Sequence, residues 1–195
     1  PDMEPGQRVT SHRVPLENLQ PSHTYFFRAR AVDATGRTFI SATDTLAPPA
    51  AQVSNLTNVA LAAQGTTIIS VSSNWGGGDN ASAFGASKAI DGDFVTEWST
   101  NGDGDSARIE LDLGQVRSLT AFGFRSRSMT DGTAIIRKVG LTLEGGAELQ
   151  FETPDPSQLY VFPLPSPTDA RRVVVRAVAT TTGNTGAKEI QLLIP

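Results

Sequence analysis

The 195-residue chain has no cysteine. That one absence excludes a disulfide scaffold, a thiol nucleophile and every cysteine-based zinc site. Histidine is almost as scarce, with only His12 and His23, so most acid–base and metal-enzyme schemes are short of parts. No apolar run approaches the roughly 18–20 residues of a membrane-spanning helix. Pro1 opens a polar stretch with no leader pattern, so a secreted parent is expected to have lost its leader or to carry it upstream. Excess positive charge is missing too: 16 Lys and Arg face 20 Asp and Glu, for a formal net charge of −4. Nucleic acid is therefore not expected as a bulk electrostatic partner. Nor does any stretch sustain the apolar spacing of an amphipathic helix.

What remains has a clear character. A hydrophobic content of 38% with 18% charged residues supplies a packed core and excludes wholesale disorder. Eighteen Gly and 12 Pro are scattered without period and cut the chain into short segments. Between them lie Val-, Ile-, Thr- and Phe-rich runs of strand length. The expected fold class is all-β.

A Pro-Pro pair among small and polar residues marks 47–57 as an interdomain linker. Residues 1–46 before it are too few for a self-sufficient core without metal or disulfide. They read as strands Arg8–Val14, Tyr25–Asp33 and Thr38–Thr45, with a hairpin turn over Ala34–Arg37. Alternation puts Tyr25, Phe27, Ala29 and Ala31 on one face, with Arg28 and Arg30 on the other. The stretch from Leu19 to Tyr25 resembles the tyrosine-corner region of fibronectin type III domains. Only the second half of that fold is similar, which leaves an incomplete sandwich with an apolar face and unpaired edges. Either the sequence starts mid-domain, or a neighbouring chain supplies the missing strands in an assembly.

Residues 58–195 carry stronger signals. Ala107–Gly114 alternates strictly, placing Ile109, Leu111 and Leu113 inward and Arg108, Glu110 and Asp112 outward. Further strands are expected over Leu119–Arg125, Ile135–Leu143, Arg171–Ala177 and Glu189–Ile194. Asp91 and Asp93 flank Gly92 in a loop that Thr96 closes, a set of hard oxygens suited to Ca²⁺.

The order of motifs resembles a known family. Asn58-Val59-Ala60 comes first, then Ala89-Ile90-Asp91-Gly92-Asp93 and Thr96-Glu97-Trp98-Ser99. The Ile109–Gly114 strand and a late Glu189-Ile190 follow. This is similar to the discoidin, or coagulation-factor type C, domain, a galactose-binding-like jelly roll whose relatives include family 32 carbohydrate-binding modules. The resemblance implies a structural Ca²⁺ held by the Lys88 carbonyl, Asp91, the Asp93 backbone, Thr96, the Lys188 carbonyl and Glu189. It also makes Trp98 a core residue under the metal loop. The plain alternative for the cation set is an ordinary Asp-Gly turn with an exposed Glu189.

In such a fold the ligand loops gather at one end. Candidate residues are Trp75 and Asn80 in a triple-glycine loop, Arg125, Arg127 and Asp131 in the next, and Asn184 in a third. An aromatic face with planar donors and acceptors suits a pyranose. Arg127 and Asp131 match positions near which sugar-binding relatives keep an Arg and an Asn, and the His of galactose readers has no counterpart. The bland alternatives are a solvated salt-bridged edge for Arg125, Arg127 and Asp131, and a core position for Trp75.

Membrane binding is disfavoured, since the loops offer glycine and acid where lipid-binding relatives offer apolar tips and cations. No Ser-His-Asp arrangement or nucleophile elbow supports an enzyme, and Asp103 and Asp105 sit in a Gly-rich turn. The sequons at Asn55 and Asn80 are three-residue matches common by chance. The sequence thus predicts a non-catalytic extracellular module that binds a glycan or cell-wall polysaccharide and anchors a larger protein. The competing expectation is a subunit of a surface filament or sheath, self-associating through its N-terminal strands.

Overall fold

The computed structural model describes residues 25–33, 35–46 and 56–195. Its contacts divide the chain into two units, with the break between Pro48 and Pro49.

In the first unit, β1 (Tyr25–Phe27), β2 (Arg30–Val32), β3 (Thr38–Ile40) and β4 (Asp44–Leu46) form a hairpin. β2 pairs antiparallel with β3, and β1 with β4. Asp33 closes the turn: its Oδ1 accepts from the Thr35 amide and hydroxyl and from the Arg37 amide. The expected single strand Tyr25–Asp33 is split at Arg28-Ala29, where the Ala29 amide turns to the Ser41 hydroxyl. Of its expected apolar face, Tyr25 is half-buried, while Phe27, Ala29 and Ala31 are exposed. The expected strand Arg8–Val14, the Leu19–Thr24 part of the tyrosine-corner segment, both histidines and linker residues 47–55 lie outside the described residues.

The second unit is built from β5 (Thr57–Asn58), β6 (Thr67–Val71), β7 (Arg108–Ser126), β8 (Ile136–Leu143), β9 (Leu149–Glu152), β10 (Tyr160–Thr180) and β11 (Ala187–Ile194). All pairings are antiparallel. Thr57, the last residue of the expected linker, belongs to β5.

Two long strands make the sandwich. The first part of β7, through Asp112, pairs with β6 and with the last part of β10, which also pairs with β8; β9 follows β8. The last part of β7 pairs instead with β11 and with the first part of β10, and β11 pairs with β5. β7 and β10 therefore each serve both sheets, bending where their register shifts, between Pro163 and Thr168 and between Ala170 and Arg172. The sequence expectation of separate strands at 107–114 and 119–125 becomes one strand of 19 residues. Likewise Arg171–Ala177 is the far end of a strand of 21 residues.

One core joins both sheets. Ile109, Leu111 and Leu113 are buried, as their alternation requires, with Phe122, Val139, Leu141, Val173, Val175, Ile190 and Leu192. Phe151 on β9 packs against Phe122 and Phe162 of the opposite sheet, at 5.6 and 4.6 Å between ring centroids. The result is the all-β jelly-roll sandwich that the sequence predicts. Among the described residues, no helix is long and apolar enough to cross a membrane.

Candidate functional site

Two constructions occupy the loops of the second unit, and the segment Glu97–Thr100 links them. Trp98 is 2% exposed, in the core, with its indole N–H on the Ser73 carbonyl and its amide on the Ala187 carbonyl. Ser99 serves two loops through its backbone. Its carbonyl accepts from the Trp75 amide at 2.8 Å, and its amide donates to the Phe84 carbonyl at 3.0 Å. The Thr100 amide donates to the Thr185 carbonyl.

The first construction is an open depression of about 310 Å³, lined by Trp75, Phe84, Ser99, Arg127, Met129 and Asn184. Trp75 is 51% exposed, which answers the core alternative raised for it. Its ring meets Phe84 edge-on, 5.6 Å between centroids at 73°. Buried Asn74 fixes this loop. Its amide nitrogen donates to the Gly78 carbonyl and to Asn80 Oδ1, and its Oδ1 accepts from the Ala86 amide. Gly76 and Gly77 take positive φ of 65° and 72°, the backbone that turns the loop so tightly.

Arg127 is 7% exposed. Its Nε and Nη2 donate to Glu97 Oε1 at 3.2 and 2.9 Å, and Nη1 donates to the Asn184 carbonyl. It thereby clamps the 181–186 loop from below. The approach is close: a Cβ on Gly186 would fall 2.1 Å from the Trp98 carbonyl oxygen and 3.2 Å from Arg127 Cδ.

Of the ligand candidates, then, Trp75, Arg127 and Asn184 come together. Three others do not line the depression. Asn80 is spent within its own loop, its Oδ1 on Asn74 and its carbonyl on Ser87. Arg125 donates to the Pro156 carbonyl and lies 5.8 Å over the Phe94 ring, because β7 ends at Ser126 and the two arginines part there. Asp131 caps its own turn through the Thr133 hydroxyl and amide, which hold its carboxyl below the usual carboxylate range. Sequence reasoning missed Phe84, Met129, Ser99 and Glu97. A lone aromatic between Ala83 and Gly85, next to a glycine-rich loop, was the available signal for Phe84.

The second construction is the Lys88–Thr96 loop with Glu189. Thr96 Oγ1 has four acceptors around it: Asp91 Oδ2 at 2.8 Å, Asp91 Oδ1 and the Asp93 carbonyl at 3.0 Å, and the Lys88 carbonyl at 3.4 Å. A hydroxyl has one proton to give; the Asp93 amide also donates to Asp91 Oδ1, the Thr96 amide to the Asp93 carbonyl, and the Lys88 ammonium lies 3.7 Å from Asp91 Oδ2. Glu189 is 0% exposed; its Oε1 accepts from Asn58 Nδ2 at 3.2 Å, while Oε2 has no hydrogen-bond partner. Burial first, then the nearby Asp91 charge, raise its pKa to about 7, against the partial offset of the Gly92 amide and the Gln191 and Asn58 side chains. Lys188 sits where the β11 register shifts between Ala187 and Glu189, out of the regular ladder. Glu189 is thus buried and close enough to Asp91 to sense its charge, unlike the exposed Glu189 of the ordinary-turn alternative, while Asp91 and Asp93 still cap turns through the Asp93 and Val95 amides.

The donor set fits a hard cation. It comprises the Asp91 and Glu189 carboxylates with carbonyl and hydroxyl oxygens, and the buried Glu189 Oε2 lacks a partner that a cation would supply. Among the described residues no three His, Cys, Asp or Glu side chains group to hold a metal ion, so a cation here would depend on backbone carbonyls and the Thr96 hydroxyl beside the two carboxylates.

The second unit is thus a jelly-roll sandwich that carries an aromatic depression on its loops. The F5/8 type C domain profile matches residues 68–190, and the chain belongs to that family. No curated protein matches the chain. Among solved structures, it is similar to the family 32 carbohydrate-binding module of Clostridium perfringens NanJ, in complex with galactose. Identity is 22% and the TM-score 0.57, over 71% of this chain and 99% of that one. A second C. perfringens family 32 module, in complex with GalNAc-β-1,3-galactose, is 23% identical with a TM-score of 0.52, over 68% and 97%. A chitosan-binding module of a Paenibacillus chitosanase/glucanase is 18% identical with a TM-score of 0.53, over 71% and 99%. At these identities the likeness establishes the fold.

Proposed function

We propose that the second unit is a non-catalytic module that binds a glycan or cell-wall polysaccharide and anchors a larger extracellular protein. The observation that carries this reading is the depression itself. Trp75, Phe84 and Met129 offer an apolar wall, and Arg127 and Asn184 add planar polar groups to the same lining. That pairing of an aromatic platform with a planar polar group matches the two faces of a pyranose. The carbohydrate ligands of the structural neighbours and the family membership support it. The test is a glycan array and polysaccharide pull-down with the wild type and Trp75→Ala. Trp75→Ala is expected to lose binding at least tenfold, with a melting temperature close to wild type because the ring is half-exposed. A blank wild-type array defeats the reading.

The cation belongs to the same proposal. A structural Ca²⁺ would be held by the Asp91 and Glu189 carboxylates, Thr96 and the carbonyls of Lys88, Asp93 and Lys188. Its contribution is to fix the loop that runs into Glu97–Thr100, and hence the rim. Chelation is expected to lower the melting temperature, and readdition of Ca²⁺ to restore it. An unchanged melt in excess chelator removes the site.

A second reading, self-association in a surface assembly, is favoured by one observation: Phe26, Val32, Phe39 and Ile40 of the first unit are at least half exposed. Light scattering across a concentration series separates the two, since a binding module stays monomeric and an assembly subunit grows.

A further inference from the structure

The electrostatics of the rim determine which glycans it admits, an inference that rests on the glycan reading above. Arg127 is the only basic residue among those lining the depression. Three of its five N–H groups are already engaged, two on Glu97 and one on the Asn184 carbonyl. Its charge is matched at 2.9 Å by a carboxylate whose side chain is itself only 17% exposed. The two remaining N–H groups can donate to a sugar oxygen, but they carry no uncompensated charge. A uronate or sulfate seated there would lose its water and face the Glu97 carboxylate behind the guanidinium. Nothing else in the lining offsets that cost: Trp75, Phe84 and Met129 are apolar, and Ser99 and Asn184 are neutral. The surrounding loops add Asp79, Asp103 and Asp131, while Arg125, the other cation on them, is turned to Pro156 and Phe94.

We propose that Glu97 is the specificity-determining residue of this site: by cancelling Arg127 it restricts the rim to uncharged sugars and turns away uronic and sulfated glycans. Glu97→Gln keeps an amide oxygen for the Arg127 clamp and removes only the charge. It should convert Arg127 from a neutralised donor into a free cation that accepts carboxylates.

The experiment uses the whole chain and an array in which each neutral hexose or N-acetylhexosamine terminus stands beside its C6-carboxylate counterpart on one carrier. Wild type is expected to favour the neutral member of a pair by about tenfold or more. Glu97→Gln should bring the two within about twofold, with the gained binding weakened by added NaCl. Wild-type binding of acidic members as tight as neutral ones overturns the role of Glu97 and leaves glycan binding standing. A folded Glu97→Gln protein that still rejects every acid overturns it too. Should that variant melt early, Met129→Lys places a cation on an exposed rim position. It should admit the acidic members, and its failure to do so defeats the charge account. A wild type that binds no member of any pair defeats the glycan reading and this inference with it.

Discussion

Arg127 shows how one side chain can belong to both the interior and the site. Its guanidinium faces the depression, yet it is held by Glu97 and by the Asn184 carbonyl. Arg127→Ala would leave Glu97 buried without its partner, a loss of about 3 kcal/mol for broken pairs of this kind. In a unit of this size that is a fall of roughly 6–12 °C in melting temperature. Calorimetry should see this fall together with lost binding, whereas Trp75→Ala should lose binding alone. Residue type and spacing make Trp75, Asn184 and Arg127 legible in the sequence. They cannot reveal that Arg125 and Arg127, two apart, part company where β7 ends, nor that Glu97 waits beneath the second of them. That juxtaposition comes from distant loops meeting.

At the scale of elements, the Lys88–Thr96 loop lies close enough to β11 for the Asp91 charge to act on Glu189. Glu189 gives the pairing a pH signature in chelated protein. Its carboxyl is raised from 4.5 to about 7, by burial first and Asp91 second. The stabilisation from the protonated form is therefore complete below about 4.5 and lost as pH rises through about 7. Asp112 beside Arg171 and Glu148 beside Arg176 are lowered instead, so they stay ionised across this window. Chelated wild type should melt higher at pH 5 than at pH 8, by an amount on the order of 2 kcal/mol. Glu189→Gln should flatten the profile, and excess Ca²⁺ should reverse it, because cation binding needs ionised carboxylates. A chelated melt that rises with pH would count against a buried carboxylate whose pKa is raised.

Strands were legible where alternation was strict. Ile109, Leu111 and Leu113 read inward and are buried. The first half of β10 was not, because Pro163, Pro165 and Pro167 read as breakers. They fall where the pairing with β7 shifts register, so their missing N–H groups cost the ladder little. β5 and β9 are too short, with two and four residues, to show a period.

For the whole molecule, the two units differ in self-sufficiency. Among the described residues, the buried core lies within the second, while those of the first are almost all exposed. Residues 56–195 alone should melt within a few degrees of the full chain and keep its glycan profile, as calorimetry and the same array would report. A fragment that fails to fold would mean that the first unit lends structure to the second.

β5 and β11 run antiparallel side by side, Asn58 against Leu193 and Thr57 against Ile194, so the chain enters and leaves this sandwich at one corner. Tension between those two points would be borne first by the Thr57–Ile194 rung, then by Asn58–Leu193 and the bonds that Asn58 and Val59 make to Leu192, opened one at a time. Asn58 also donates to Glu189, so opening the second rung, Asn58 against Leu193, would strain that hydrogen bond as well. Load applied at this corner would therefore be felt at a buried carboxylate before it reached the rest of the barrel.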